Sequence, residues 1–166
     1  MGAGDITTIE AIRWDWFVSC TVAQRGATDV FLKRKAFALF RYIARRQHIR
    51  FSDLPWVYRI ESGSDPDHRH FHFLVGSLTH KSQTERFQLM ARWNILLGGS
   101  PDRIKGTCRA RLYDPACGLA GYLAKELNGS EVRSWVNGMV TLGNAAARIA
   151  FRNAHVRVPL TASTPR

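Results

Sequence analysis

The sequence predicts an α+β domain in which helices cover one antiparallel-biased sheet. Three observations carry that prediction. Four segments alternate apolar and polar residues with the two-residue period of a strand, a dense turn cluster separates two of them, and capped segments of helical period lie between the others. Arg13 to Val22 alternates first, with Trp14, Trp16, Val18, Cys20 and Val22 on one side. Asp29 stands where a helix cap is wanted, and a helix runs from it to about Gln47 with Phe31, Phe37, Phe40 and Ile43 among its apolar positions. Trp56 to Glu61 is the second strand and His68 to Val75 the third. The segment Gly63-Ser-Asp-Pro-Asp67 between them is turn chemistry and makes them a hairpin. Ser82 to Leu97 reads as a helix ended by Gly98 and Gly99. Arg103 to Tyr113 reads as a fourth strand. Asp114 then caps, and Pro115 opens, a helix to about Leu127 that Asn128 and Gly129 stop. One or two weaker helices follow Ser130, and Thr161 to Arg166 reads as a frayed tail. The expected organisation is a single domain over residues 1–160.

The order strand, helix, hairpin, helix, strand, helix resembles the ferredoxin-like or RRM-like folds. Alternation assigns the faces of the hairpin. Trp56, Tyr58 and Ile60 share one with Phe71, Phe73 and Val75. Val57, Arg59 and Glu61 share the other with His68, His70, His72 and Leu74. The fourth strand divides likewise, Ile104, Cys108, Ala110 and Leu112 against Lys105, Thr107, Arg109 and Arg111. One face is therefore expected to pack on helices and the other to gather histidines, a glutamate and cations.

The charge balance points the same way. Lys and Arg number 24 against 13 Asp and Glu, a net charge of +11. Such an excess favours a polyanionic partner, a nucleic acid or an acidic membrane surface. Met1 to Glu10 lacks the apolar run of a signal peptide, and no window approaches the roughly 20 apolar residues of a spanning helix. The three cysteines, Cys20, Cys108 and Cys117, have no ligand-like spacing and read as core residues of a reducing compartment. The expectation is a cytoplasmic protein without a membrane partner.

His68-Arg-His-Phe-His-Phe-Leu-Val75 is the segment richest in chemistry. Alternate residues of a strand point the same way and lie about 6.6 Å apart, so His70 and His72 can converge on one metal ion. Clustered histidines are also common surface residues. Two at this spacing, flanked by apolar residues inside a strand, favour the metal. Glu61 ends the partner strand and shares their side if it opposes residue 70 or 72. A carboxylate beside two imidazoles suits Mg²⁺ or Mn²⁺, which activate phosphates. His68 is a rival third ligand, and three histidines would instead suit a zinc hydrolase. In the last well-signalled helix, Leu119, Leu123 and Leu127 anchor one face and Tyr122 and Lys125 stand three apart beside it. A phenol is a weak nucleophile until a cation or metal favours its phenolate, and Lys125 is placed to help. By itself a Tyr and a Lys at this spacing are more often packing and solvent.

Together, His70-Phe-His72 in a strand and Tyr122-Leu-Ala-Lys125 in a later helix resemble the HUH endonucleases. Nearest among them are the rolling-circle replication initiators (Rep proteins) with a single catalytic tyrosine. Trp16-Phe-Val-Ser-Cys-Thr21 stands where that family has its first motif, with Cys20 where Leu is more usual. Trp56-Val-Tyr-Arg-Ile-Glu61 followed by a turn and His-x-His is similar to its hairpin with an acidic ligand. The resemblance covers about residues 13–127. It implies that His70, His72 and Glu61 hold Mn²⁺ or Mg²⁺ at the scissile phosphate of single-stranded or melted origin DNA, or of an origin hairpin. Tyr122 then attacks, leaving a 5′-phosphotyrosine and a 3′-hydroxyl that can prime synthesis. Lys125 orients Tyr122 or balances charge, while Arg59, Lys105, Arg109 and Arg111 hold the DNA backbone. No phosphate-binding Gly-x-x-x-x-Gly-Lys-Ser/Thr occurs, because Asn144 and Ala145 follow the glycine spacing of Gly138 to Gly143. Without a helicase domain, the expected partners include a separate helicase and a polymerase. Two other readings stay open: a single-tyrosine transposase of the same superfamily, and a non-catalytic RRM-like binding module.

Overall fold

The computed structural model describes residues 12–62, 69–117 and 140–142. The strands are β1 (Trp14–Thr21), β2 (Trp56–Ser62), β3 (Arg69–Gly76), β4 (Cys108–Leu112) and the three-residue β5 (Val140–Leu142). The helices are α1 (Asp29–Arg46) and α2 (Gln83–Leu96), with short 3₁₀ turns at Phe51–Asp53 and Pro115–Cys117. One antiparallel sheet runs β4-β1-β3-β2, and β5 extends it at the β2 edge. No helix among the described residues is long and apolar enough to cross a membrane.

The hairpin faces follow the alternation in the sequence. Trp56 opposes Val75, Tyr58 opposes Phe73 and Ile60 opposes Phe71. These residues meet Trp16, Val18 and Cys20 of β1 in a core closed by Leu32, Ala36, Leu39, Phe40 and Ile43 of α1 and by Leu89 and Trp93 of α2. Phe40 is the hub. Its ring stacks on Trp56 at 4.7 Å between centroids and meets Phe73 edge-on at 5.1 Å, arrangements that add to simple burial. Cys20 and Cys108 face each other across β1 and β4 as buried free thiols. Burial, reinforced by Cys108, holds the Cys20 thiol well above its ordinary pKa.

Buried polar side chains anchor the connections to α2. The Gln47 Oε1 accepts from Thr79 N at 2.8 Å and His80 N at 2.9 Å, and its Nε2 donates to His80 O at 2.8 Å. Asp15 accepts from Leu78 N and from Lys81 Nζ, each at 2.8 Å. At the other end of α2, the Asn94 Oδ1 accepts from Lys105 N at 2.7 Å and its Nδ2 donates to Ser100 O at 2.9 Å. The loop crosses β1 so closely that a Cβ on Gly106 would lie 2.4 Å from Thr21 O. Asn94→Ala is expected to cost about 0.5–1.5 kcal/mol, because it removes the acceptor of the partly buried Lys105 N–H, whereas Ser100 O keeps its bond from Arg103 N. A urea unfolding titration with an unchanged slope measures it, and a midpoint equal to wild type would contradict this role.

Several expectations from the sequence need correction. Thr28, not Asp29, caps α1: its hydroxyl accepts from Phe31 N at 3.2 Å, and Asp29 adds only first-turn charge. β1 slips register between Trp14 and Trp16, so a bulge interrupts the alternation and Trp14, though buried, stands apart from the core cluster. β4 begins at Cys108 rather than Arg103. Residues 100–106 form a loop tied to Asn94, which leaves Lys105 off the strand and Ile104 60% exposed. Leu112, at the strand end, is 57% exposed, whereas alternation puts it on the packed face. After Asp114, whose carboxylate accepts from Ala116 N at 2.9 Å, the backbone makes a 3₁₀ turn rather than opening directly into an α-helix. The turn at 63–67, His68, the rest of the 114–127 helix and the 161–166 tail lie outside the described residues.

Candidate functional site

The face of the sheet away from α1 and α2 is built in register across the strands. One row runs Thr21, His70, Glu61 across β1, β3 and β2. The next runs Arg109, Ser19, His72, Arg59 across β4, β1, β3 and β2. The third runs Arg111, Phe17, Leu74, Val57. Directly opposed residues of an antiparallel pair share a face, so the β1–β3 register brings the histidines beside the hydroxyl residues of β1.

This face is apolar at one end and polar at the other. Val57 and Leu74 are fully buried and Phe17 nearly so, while Ser19, Thr21, His70 and His72 are half-buried. The reason lies in β1 and β3, which carry apolar residues on both faces at one end and only on the α1/α2 face at the other. The polar half is thus a confined patch bordered by packed side chains.

Within the patch the geometry is definite. The His70 and His72 rings lie 6.2 Å apart and within 10° of parallel. Phe17 stacks parallel to His72 at 5.9 Å, and the Arg111 guanidinium lies 4.8 Å over the Phe17 ring. Ser19 Oγ is 2.9 Å from His72 Nδ1. Beside His70, the hydroxyls of Thr21 and Thr107 are 2.7 Å apart. The Thr21 carbonyl is fixed by Trp93 Nε1 at 2.9 Å.

Glu61 is placed by the register directly opposite His70, the nearer of the two positions the sequence allowed. Two histidines on one strand and a glutamate at the opposed position of its neighbour are residue types that divalent-ion sites with mixed nitrogen and oxygen ligands use. Among the described residues no three His, Cys, Asp or Glu side chains cluster as a metal site, and Glu61 enters through its strand position alone. Arg109 and Arg111 are exposed at the β4 edge, Lys105 is half-buried in the preceding loop, and Arg59 is 2% exposed. Tyr122 and Lys125 lie outside the described residues.

The sequence reading passed over Ser19 and Phe17 as contributors to the site. Their signal was the second face of β1, where Phe17, Ser19 and Thr21 alternate with the core residues. Once His70 and His72 are placed on β3, these become their neighbours. No family model, curated protein or solved structure matches the chain.

Proposed function

We propose that this protein is a metal-dependent endonuclease that nicks and rejoins single-stranded DNA through a covalent bond to Tyr122, in the manner of rolling-circle replication initiators. The observation that carries the reading is the pair of half-buried imidazoles, His70 and His72, on a middle strand of the sheet, with Glu61 in register opposite His70. The succession β-α-β-β-α-β and the strand order β4-β1-β3-β2 support a ferredoxin-like framework of the HUH kind.

The roles follow from chemistry. A bound Mn²⁺ or Mg²⁺ would polarise a phosphate oxygen and offset the charge that builds there. His70, His72 and Glu61 would hold it. Tyr122 forms the new phosphorus–oxygen bond as the bond to the 3′ oxygen breaks, its phenolic proton passing to solvent and the 3′ oxygen taking one up. Lys125 pairs with the phosphate or favours the phenolate. Attack by a 3′-hydroxyl on the phosphotyrosine reverses the step and rejoins the strand. Arg109 and Arg111, exposed at the β4 edge, contact backbone phosphates, and Lys105 extends that track. Arg59 is nearly inaccessible and contributes as a fixed charge opposite His72 on β2. Unwinding of the origin and strand synthesis fall to a separate helicase and polymerase in the cytoplasm of the host cell.

A single-tyrosine transposase would use the same residues on different DNA. A reversible RRM-like module would need exposed aromatics on the middle strands to stack bases, and Phe17, the aromatic beside His72 on this face, is 6% exposed. The deciding experiment incubates the protein with a randomised pool of single-stranded oligonucleotides and Mn²⁺, then separates it under denaturing conditions. A slower band that withstands denaturant and is absent in EDTA supports the endonuclease. Binding that is wholly reversible supports the module and contradicts cleavage.

Charge reversal gives an independent check. Arg109→Glu and Arg111→Glu are each expected to weaken binding to all single-stranded sequences alike. Each should also reduce the slope of log affinity against log salt by about 1. Fluorescence anisotropy across a salt series measures both. Unchanged slopes in the two variants would remove the β4 edge from the DNA path.

A further inference from the structure

We infer that Ser19 is a positioning residue that holds His72 with its proton on Nδ1, so that Nε2 is the nitrogen presented to the metal. This rests on the metal reading of His70 and His72 given above. Ser19 Oγ lies 2.9 Å from His72 Nδ1, inside the normal range for a hydrogen bond. A neutral imidazole carries one N–H, and the bond made by one ring nitrogen decides which nitrogen keeps a lone pair for a metal. In the row Arg109, Ser19, His72, Arg59, both arginines are donors only, so among these residues the Ser19 oxygen is the one able to accept an Nδ1–H. The ring cannot easily swing away. Phe17 stacks on it at 5.9 Å and 6° between planes, and His70 lies parallel on the other side at 6.2 Å.

Hydrogen-bond partners in the outer shell of metal-binding histidines usually alter metal affinity by about 10–100-fold when removed. Ser19→Ala is therefore expected to lower Mn²⁺ affinity by that factor, and Ser19→Thr, which keeps the hydroxyl on a side chain suited to a strand, to restore most of it. Titration calorimetry with Mn²⁺ alone measures this. The separate readout is the tautomer of His72 in metal-free protein, from ¹⁵N-edited NMR under alkaline conditions where imidazoles are neutral. The wild type and Ser19→Thr should show the Nδ1–H form, and Ser19→Ala should shift to Nε2–H or to a mixture. An Nε2–H form in the wild type, or an unchanged tautomer and unchanged Mn²⁺ affinity in Ser19→Ala, would overturn the role of Ser19. Failure of the wild type to bind Mn²⁺ would overturn the metal reading itself, and the tautomer would then show Ser19 ordering a histidine with no metal to serve.

Discussion

Tyr122→Phe is expected to bind single-stranded DNA and Mn²⁺ as the wild type does and to form no covalent adduct. Deleting one oxygen removes the nucleophile and leaves the ring, so packing is conserved while the bond-forming atom is lost. Removing a covalent nucleophile costs on the order of 10⁴-fold or more in rate, with what persists arising from binding and electrostatics. Tyr113 is the competing phenol. Its backbone N–H donates to Asp15 O at 2.9 Å, just beyond the end of β4. Tyr113→Phe should keep the adduct. Quantified denaturing gels over a time course distinguish the two, and an adduct formed at the wild-type rate by Tyr122→Phe would remove the residue from the chemistry.

His70→Ala and His72→Ala should each abolish Mn²⁺-dependent cleavage to about the level seen in EDTA. Each variant deletes one of two imidazoles on a single strand, and the remaining donors no longer define a site. The fold should survive, since both residues are half-buried on the face away from the aromatic core. Far-UV circular dichroism matching wild type makes the loss specific. Because a protonated imidazole cannot ligate, Mn²⁺ binding should also weaken as the pH falls. Cleavage that continues unchanged in both variants, or in excess EDTA, would contradict the metal role.

Much of the sheet could be read from the chain because alternation is a local signal. That Trp56, Tyr58 and Ile60 share a face with Phe71, Phe73 and Val75, and residue 61 with His70 and His72, follows from a period of two, whereas the register that sets residue 61 opposite His70 does not. What the sequence concealed depends on contacts between distant segments. Lys105 alternates as if in β4, but Asn94, eleven residues earlier, takes its backbone N–H and keeps it in a loop. Thr28 and Asp29 are both good caps, and the choice turned on the backbone angle at which the helix begins. The burial of Phe17, Val57 and Leu74 opposite the main core could not be read from periodicity, because an apolar residue on a second face looks the same whether covered or bare. Ser19 was legible only as a polar residue in an apolar strand. Its partnership with His72 needed the β1–β3 register, which spans 53 residues of chain.

The most direct test of the central claim is mass spectrometry of the covalent species. Wild-type protein is incubated with single-stranded DNA and Mn²⁺, digested with nuclease and trypsin, and searched for peptides carrying a nucleotide remnant. The account predicts one modified peptide, with the 5′-phosphate on Tyr122 and none formed in EDTA. A remnant mapped to Tyr113 or to any other residue, or the absence of any modified peptide where cleavage has occurred, would contradict it.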